Sequence, residues 1–80
     1  MQNTVEAVNS HGDVVLRTAE GHYVLVQQLD AKPLRTAQVL VGALDAVGIE
    51  VATDPETGAA YDFFIVAYGL SREAALEGFA

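Results

Sequence analysis

The fold is decided by the stretch Val14-Val15-Leu16-Arg17-Thr18-Ala19-Glu20-Gly21-His22-Tyr23-Val24-Leu25-Val26-Gln27-Gln28-Leu29. Val14 and Leu16 share one face of its first half, because side chains alternate along a strand. In its second half Tyr23, Leu25 and Leu29 share one face, and His22, Val24, Val26 and Gln28 share the other. β-Branched residues are frequent in both halves, and Gly21 suits the left-handed backbone of a tight turn between them. The stretch therefore predicts a β-hairpin.

Two further strands are predicted on either side of a second turn. In Asp54-Pro55-Glu56-Thr57-Gly58, Pro55 presets the backbone for a turn and Gly58 supplies a positive φ at its exit. This turn joins a strand over 49–53 to one over 61–68. Residues 4–9 are predicted to form a strand that precedes the first hairpin.

A short helix is predicted at the C-terminal end of the chain. Ser71 is suited to the N-cap, and Glu73 suits the positive end of the helix dipole. Gly78 is predicted to end the helix.

Residues 34–48 fit two interpretations. Val39-Leu40-Val41-Gly42 resembles a strand, whereas Thr36 as N-cap and Gly48 after the last turn would suit a helix. Gly42 inside a helix costs about 1 kcal/mol relative to Ala, while in a barrel a glycine often marks a bend or bulge. The sequence thus favours a mainly β protein, a small five-stranded antiparallel barrel with a short C-terminal helix, in one domain spanning residues 1–80. The alternative is an α+β domain with a helix at about 34–47.

A family resemblance covers most of the chain. The run Gly12-Asp13-Val14-Val15-Leu16-Arg17-Thr18-Ala19-Glu20-Gly21-His22-Tyr23 resembles the first hairpin of short bacterial proteins of the OB-like or SH3-like small β-barrel type. Val39-Leu40-Val41-Gly42-Ala43-Leu44, Asp62-Phe63-Phe64-Ile65 and Tyr68-Gly69-Leu70-Ser71 follow in the expected order. Ala37-Gln38 stands where that pattern has Gly-Asp, which leaves the helical alternative open. The resemblance implies a fold and no activity.

Composition narrows the classes of function. Eleven acidic residues against four basic ones give a net charge of −7, which opposes binding to nucleic-acid phosphates and anionic lipids. The chain has no Cys, and its start lacks the features of a secretory signal. Its longest apolar run is residues 63–70, which is far shorter than the ~20 residues that span a bilayer. We therefore expect a cytoplasmic protein without membrane contact, for which nucleic acid is an unfavoured partner.

The residue types that carry chemistry do not form a recognisable site. His11, Asp13 and His22 are capable of binding metal, but the two turns that hold them lie at opposite ends of one strand, roughly 20 Å apart. Asp54 and Glu56 do not match the spacing of an EF-hand loop. The expectation is no catalytic residue, no metal and no cofactor.

The run Phe63-Phe64-Ile65-Val66-Ala67-Tyr68-Gly69-Leu70 is apolar on both faces. Phe63 and Ile65 point one way in a strand, and Phe64, Val66 and Tyr68 point the other, so both faces favour burial. Either the C-terminal helix covers the second face through Ala75, Leu76 and Phe79, or another chain does. The candidate interaction surface is therefore Phe64, Val66 and Tyr68.

These observations predict a non-enzymatic binding or interaction module, with a protein partner or a homodimer as the expected assembly. A nucleic-acid-binding small barrel is one alternative. A small ligand-binding protein or enzyme, which would need a concave site with convergent polar groups, is the other.

Overall fold

The computed structural model describes residues 1–79, which form six strands and one helix. They are β1 (Gln2–Val8), β2 (Asp13–Thr18), β3 (Tyr23–Gln28), β4 (Val39–Val41), β5 (Gly48–Thr53), β6 (Ala60–Leu70) and α1 (Arg72–Phe79). The strands close into an antiparallel barrel in the spatial order β1-β2-β3-β6-β5-β4. The prediction of a mainly β barrel with one short C-terminal helix is confirmed.

The number of strands and the last residue of the helix differ from that prediction. The barrel has six strands rather than five, because β4 pairs with both β1 and β5 and completes the closure. The alternative helix at about 34–47 does not form: residues 39–41 are a strand that Leu40 anchors in the core. The C-terminal helix also continues through Gly78 to Phe79, one residue beyond the predicted stop.

The chain follows a Greek-key path. Three consecutive strands, β1 to β3, are joined by short turns, and β4 then returns to lie beside β1, which gives the order 4-1-2-3. The connection between β3 and β4 is held by Asp30, whose carboxylate accepts hydrogen bonds from the N–H of Asp62 (2.7 Å) and of Lys32 (3.0 Å). Burial raises the pKa of the Asp30 carboxyl, but these bonds and one from Gln28 outweigh that effect, so its pKa lies below the usual value.

The core fills the barrel with side chains from all six strands. It comprises Val5, Val14, Leu16, Val24, Val26, Leu40, Leu44, Ala52, Tyr61, Phe63 and Ile65. Val14 pairs with Val26, and Leu16 pairs with Val24, and all four side chains belong to the core. Burial of these apolar side chains is the main force that stabilises the barrel.

The side chain of Asn3 brings a polar group into the barrel. Asn3 is fully buried, and its Nδ2 donates to the carbonyl oxygens of Leu40 (3.2 Å) and Gly42 (3.1 Å), which ties β1 to β4. Its Oδ1 has no hydrogen-bond partner among residues 1–79. The amide therefore fixes the register of a strand that is only three residues long.

Helix α1 lies on the outside of the barrel. Ser71 caps it as predicted, because its Oγ accepts a hydrogen bond from the N–H of Ala74 at 3.1 Å. The helix packs mainly against β2 and β3 and places its fully buried Ala75 there. On β2 it covers Val15, an outward side chain that is fully buried.

Candidate functional site

Strand β5 turns its largest apolar side chains away from the core. Ile49 and Val51 are 69% and 50% exposed, whereas Ala52 is fully buried. The pairing explains this arrangement, because Ala52 lies opposite the inward Tyr61, and Glu50 lies opposite the inward Phe63. Two large aromatic side chains leave little room for a bulky neighbour inside the barrel. The bulky residues of β5 therefore point to solvent.

Strand β6 presents apolar side chains to the same surface. Phe64 pairs directly with Ile49, and Val66 follows two residues later on the same side of the strand. Phe64 is 38% exposed and Val66 is 48% exposed. We call the surface formed by Ile49, Val51, Phe64 and Val66 the β5–β6 face. Exposed apolar side chains that lie side by side are typical of interaction sites, whereas single ones are not.

The structure separates the three residues proposed from the sequence. Phe64 and Val66 belong to the β5–β6 face, while Tyr68 lies beyond an irregularity in the β3–β6 pairing, at one end of the barrel. There Tyr68 borders a small, mainly apolar pocket of about 140 Å³, together with Thr18, Val24 and Leu44. Sequence reasoning missed Ile49 and Val51. Their period-two spacing in β5 was visible, but which side of that strand faces the core was not.

Helix α1 does not cover the β5–β6 face. Of the two alternatives for the second side of residues 63–70, burial by the helix does not occur, because α1 lies mainly on β2 and β3 and Phe64, Val66 and Tyr68 stay exposed. Val15 on β2 and Leu25 on β3 are paired and point outward. Together they form the apolar surface on which the helix packs. The outer surface of β5 and β6 is left exposed.

Charge is distributed unevenly around this surface. Residues 36–71 contain no Lys, Arg or His but five acidic residues: Asp45, Glu50, Asp54, Glu56 and Asp62. Asp62 pairs with Val51 and is exposed beside the β5–β6 face. Arg17 and Arg72 lie on β2 and α1, where Arg72 forms an ion pair with Glu6 at 3.3 Å. Lys32 donates from its Nζ to the carbonyl of Ala60, where β6 begins, and lies over the ring of Tyr61. The β5–β6 face is therefore apolar at its centre, with the acidic Asp62 beside it and one cation, Lys32, at the start of β6.

A polar cluster closes the other end of the barrel. The Nε2 of buried Gln38 donates to Asp54 Oδ2 (2.9 Å) and to Tyr61 Oη (3.2 Å), and the N–H of Glu56 donates to Asp54 Oδ1 (2.8 Å). The Gln38 amide and the Glu56 N–H hold the pKa of the Asp54 carboxyl below its ordinary value. Both oxygens of this carboxylate are occupied, so its role is to hold the turn 54–58 against the end of β4.

We expect the hydrogen bonds of Asp54 to make the protein sensitive to acid. Because its pKa is lower in the folded chain than in the unfolded one, its contribution is present above about pH 4 and is lost as the pH falls through the lower, folded value. Asp54→Asn should lower the melting temperature at pH 7. Below pH 4 the melting temperature of this variant should fall less steeply than that of the parent. Melting curves of both proteins from pH 7 to pH 2.5 measure this. Asp45→Asn, at an exposed aspartate, is the control, and parallel curves for Asp54→Asn and the parent would contradict the prediction.

A polar depression of about 330 Å³ borders the same cluster, lined by Gln2, Arg35, Thr36, Ala37, Gln38, Val39, Asp54, Pro55 and Glu56. Ala37 has a φ of 73°, a left-handed conformation that is unfavourable for a residue with a Cβ, and its N–H is held by the carbonyl of Val5 at 2.8 Å. Asp54 and Gln38 are the two buried polar residues that line the depression, and the side chains of both already form hydrogen bonds within the protein. The depression is therefore explained by the packing of the connection between β3 and β4.

The described residues contain no group of three or more His, Asp or Glu side chains that could hold a metal ion. His11 and His22 lie in the turns that flank β2 at its two ends. The one helix described, of eight residues, is too short to cross a membrane.

Comparison of the chain with protein-family models, with curated proteins and with solved structures gave no significant match.

Proposed function

We propose that this protein is a non-enzymatic protein-binding module that holds its partner on the β5–β6 face. The observation that supports the proposal is the outward orientation of Ile49 and Val51 beside Phe64 and Val66. Their side chains give the surface an apolar centre of the kind that is buried in protein interfaces. A soluble domain of this size gains nothing in its own stability from leaving these side chains in water.

The charge around the face suggests the chemistry of the partner. Asp62 is exposed beside the face and the whole chain has a net charge of −7, so a partner that carries Lys or Arg around an apolar patch would be attracted to this side. A second copy of the chain would bring two acidic margins together, since the whole molecule has a net charge of −7. Nucleic acid is disfavoured for the same electrostatic reason. We therefore propose a basic protein segment as the partner.

Two finer assignments belong to the same proposal. We assign the barrel to the OB-like or SH3-like type on the sequence resemblance, which adds no activity. We also place the protein in the cytoplasm, which the absence of cysteine supports.

Binding can be tested with a capped nonapeptide of alternating lysine and valine, titrated into the isotopically labelled protein and followed by NMR. We expect saturable shifts at Ile49, Val51 and Phe64, and weaker binding at high salt because the attraction is partly electrostatic. Phe64→Ala should weaken binding about 5- to 30-fold, the equivalent of ~1–2 kcal/mol for removing an apolar contact.

Val8→Ala is the matched control, because Val8 is 37% exposed on β1, outside the β5–β6 face. It should bind the peptide as the parent does. A nonapeptide of alternating glutamate and valine should bind more weakly than the lysine peptide. Equal binding of the two peptides, or loss of binding that does not depend on Phe64, would contradict the proposal.

A further inference from the structure

The small pocket at the end of the barrel has an apolar floor and a polar rim. Its volume is about 140 Å³, and the buried residues that line it are Thr18, Val24 and Leu44. The exposed residues that line it include Glu20, Asp45 and Tyr68. A cavity of about 150 Å³ holds a molecule the size of benzene, which has about six non-hydrogen atoms. The pocket therefore has room for a small organic molecule.

The rim carries negative charge that the protein leaves unpaired. Glu20 lies in the turn between β2 and β3, and Asp45 lies in the connection between β4 and β5, so two separate segments bring carboxylates to one opening. Neither carboxylate forms an ion pair among residues 1–79, although Met1 and His22 also border the pocket. Tyr68 adds an aromatic ring, a group whose face attracts cations. The rim is thus suited to an ammonium group.

The floor offers one hydrogen-bond donor among apolar side chains. The Thr18 side chain is only 9% exposed, and its Oγ1 accepts a hydrogen bond from the N–H of His22 at 3.2 Å. Its hydroxyl hydrogen has no acceptor in the part of the chain that the structure describes. Val24 and Leu44 provide apolar contact beside it. An oxygen atom of a bound molecule would accept from Thr18, while the rest of that molecule would need to be apolar.

We propose that this pocket binds a small amino alcohol. Its ammonium lies at the rim between Glu20 and Asp45, its short carbon chain lies on Val24 and Leu44, and its oxygen accepts from Thr18. The order of these groups from rim to floor is opposite to that of a lysine side chain, which would enter with its charge first and place it on the apolar floor. The ligand is therefore a free small molecule. The site is distinct from the β5–β6 face, because none of the four residues that define that face lines the pocket.

The test is an NMR titration of the isotopically labelled protein with 4-aminobutan-1-ol. We expect saturable shifts at Thr18, Val24 and Leu44 and none at Ile49 or Val51. Two probes of the same size each change one end of this molecule. Pentylamine lacks the oxygen and should bind about 3- to 10-fold more weakly, which corresponds to one net hydrogen bond. Butane-1,4-diol lacks the charge and should bind at least about tenfold more weakly.

A pair of double variants tests whether the rim charges act locally. Glu20→Gln combined with Asp45→Asn should weaken the binding of 4-aminobutan-1-ol at least about tenfold. Glu73→Gln combined with Glu77→Gln is the matched control, because it removes the same charge from exposed positions on α1. The control should bind as the parent does. Both double variants should melt close to the parent, since all four side chains are exposed.

Several results would overturn the amino alcohol site, and each leaves the proposed function intact. Equal loss of binding in the two double variants would mean that the net charge alone attracts the amine. Binding of pentylamine or butane-1,4-diol as tightly as 4-aminobutan-1-ol would remove the role of Thr18 or of the carboxylates. Absence of shifts at Val24 and Leu44 would place the probe elsewhere. Nα-acetyl-lysine methylamide that binds as tightly, with the same shifts, would assign the pocket to lysine side chains of a protein.

Discussion

Phe63→Ala is expected to lower the free energy of unfolding by about 3–5 kcal/mol, the largest effect of any single substitution considered. Phe63 is fully buried and is the largest of the side chains that are completely enclosed in the barrel. Its removal takes an aromatic ring out of a thin core and leaves a cavity that the surrounding strands cannot fill. A domain of this size has a total stability of about 5–15 kcal/mol, so much of it would be lost.

The adjacent Phe64 provides the matched control. It is the same residue type in the same strand, but 38% of it is exposed on the β5–β6 face. We expect Phe64→Ala to cost about 1 kcal/mol or less, because part of the ring is already in water. Urea denaturation of the parent and both variants measures the difference. Equal losses for the two phenylalanines would mean that β6 does not alternate as described.

Gly42→Ala is expected to cost about 1–3 kcal/mol, the second largest effect. An added Cβ would lie 2.8 Å from the carbonyl oxygen of Val51 and 3.1 Å from the Cα of Ala52. Both are backbone atoms, which cannot move away as a flexible side chain would. The methyl group would therefore push β4 from β5 at the point where Val41↔Thr53 is their one pair of partners.

Val41→Ala tests whether the effect comes from the added atom. Val41 is 42% exposed and precedes Gly42 in the chain, and trimming it adds nothing to the contact with β5. It should cost less than about 1 kcal/mol. Thermal and urea unfolding of both variants would check this, and a Gly42→Ala protein as stable as the parent would show that β4 and β5 are not held this closely.

Local patterns were sufficient to predict the strands and turns. The hairpin of β2 and β3 was predictable because alternation and a turn glycine act over a few residues. The cap at Ser71 was predictable for the same reason, since its bond to Ala74 spans one helical turn. Residues 39–41 were harder, because a three-residue strand carries little periodicity and depends on β1 and β5 for its hydrogen bonds.

The arrangement of the candidate site depends on contacts between distant residues. The direction of Ile49 follows from the size of Tyr61 and Phe63 opposite β5, which a single strand does not reveal. The position of α1 follows from the pair Val15 and Leu25, on two strands that precede the helix by some fifty residues. Sequence patterns could propose Phe64 and Val66, but the face they belong to exists only after the barrel has closed.

The Gln38 cluster was not predicted for a related reason. Gln38 and Asp54 are 16 residues apart, and Gln38 and Tyr61 are 23 residues apart. Each residue alone is unremarkable in a loop or strand. The residue types of Gln38, Asp54 and Tyr61 match no sequence motif. A buried hydrogen-bond network is defined by the geometry of its groups and not by their spacing in the chain.

The Greek-key path has a consequence for how the chain is made. β3 pairs with β6 and β1 pairs with β4, so the first three strands form a sheet with two unpaired edges when they emerge from the ribosome. Neither edge finds its partner strand until translation has reached residue 70 for β3 and residue 41 for β1. Synthesis at about 5–20 residues per second leaves the sheet open for seconds, a long interval for edges that readily join another chain. We therefore expect translation speed and chaperones to affect the yield of this protein more than its final stability would suggest.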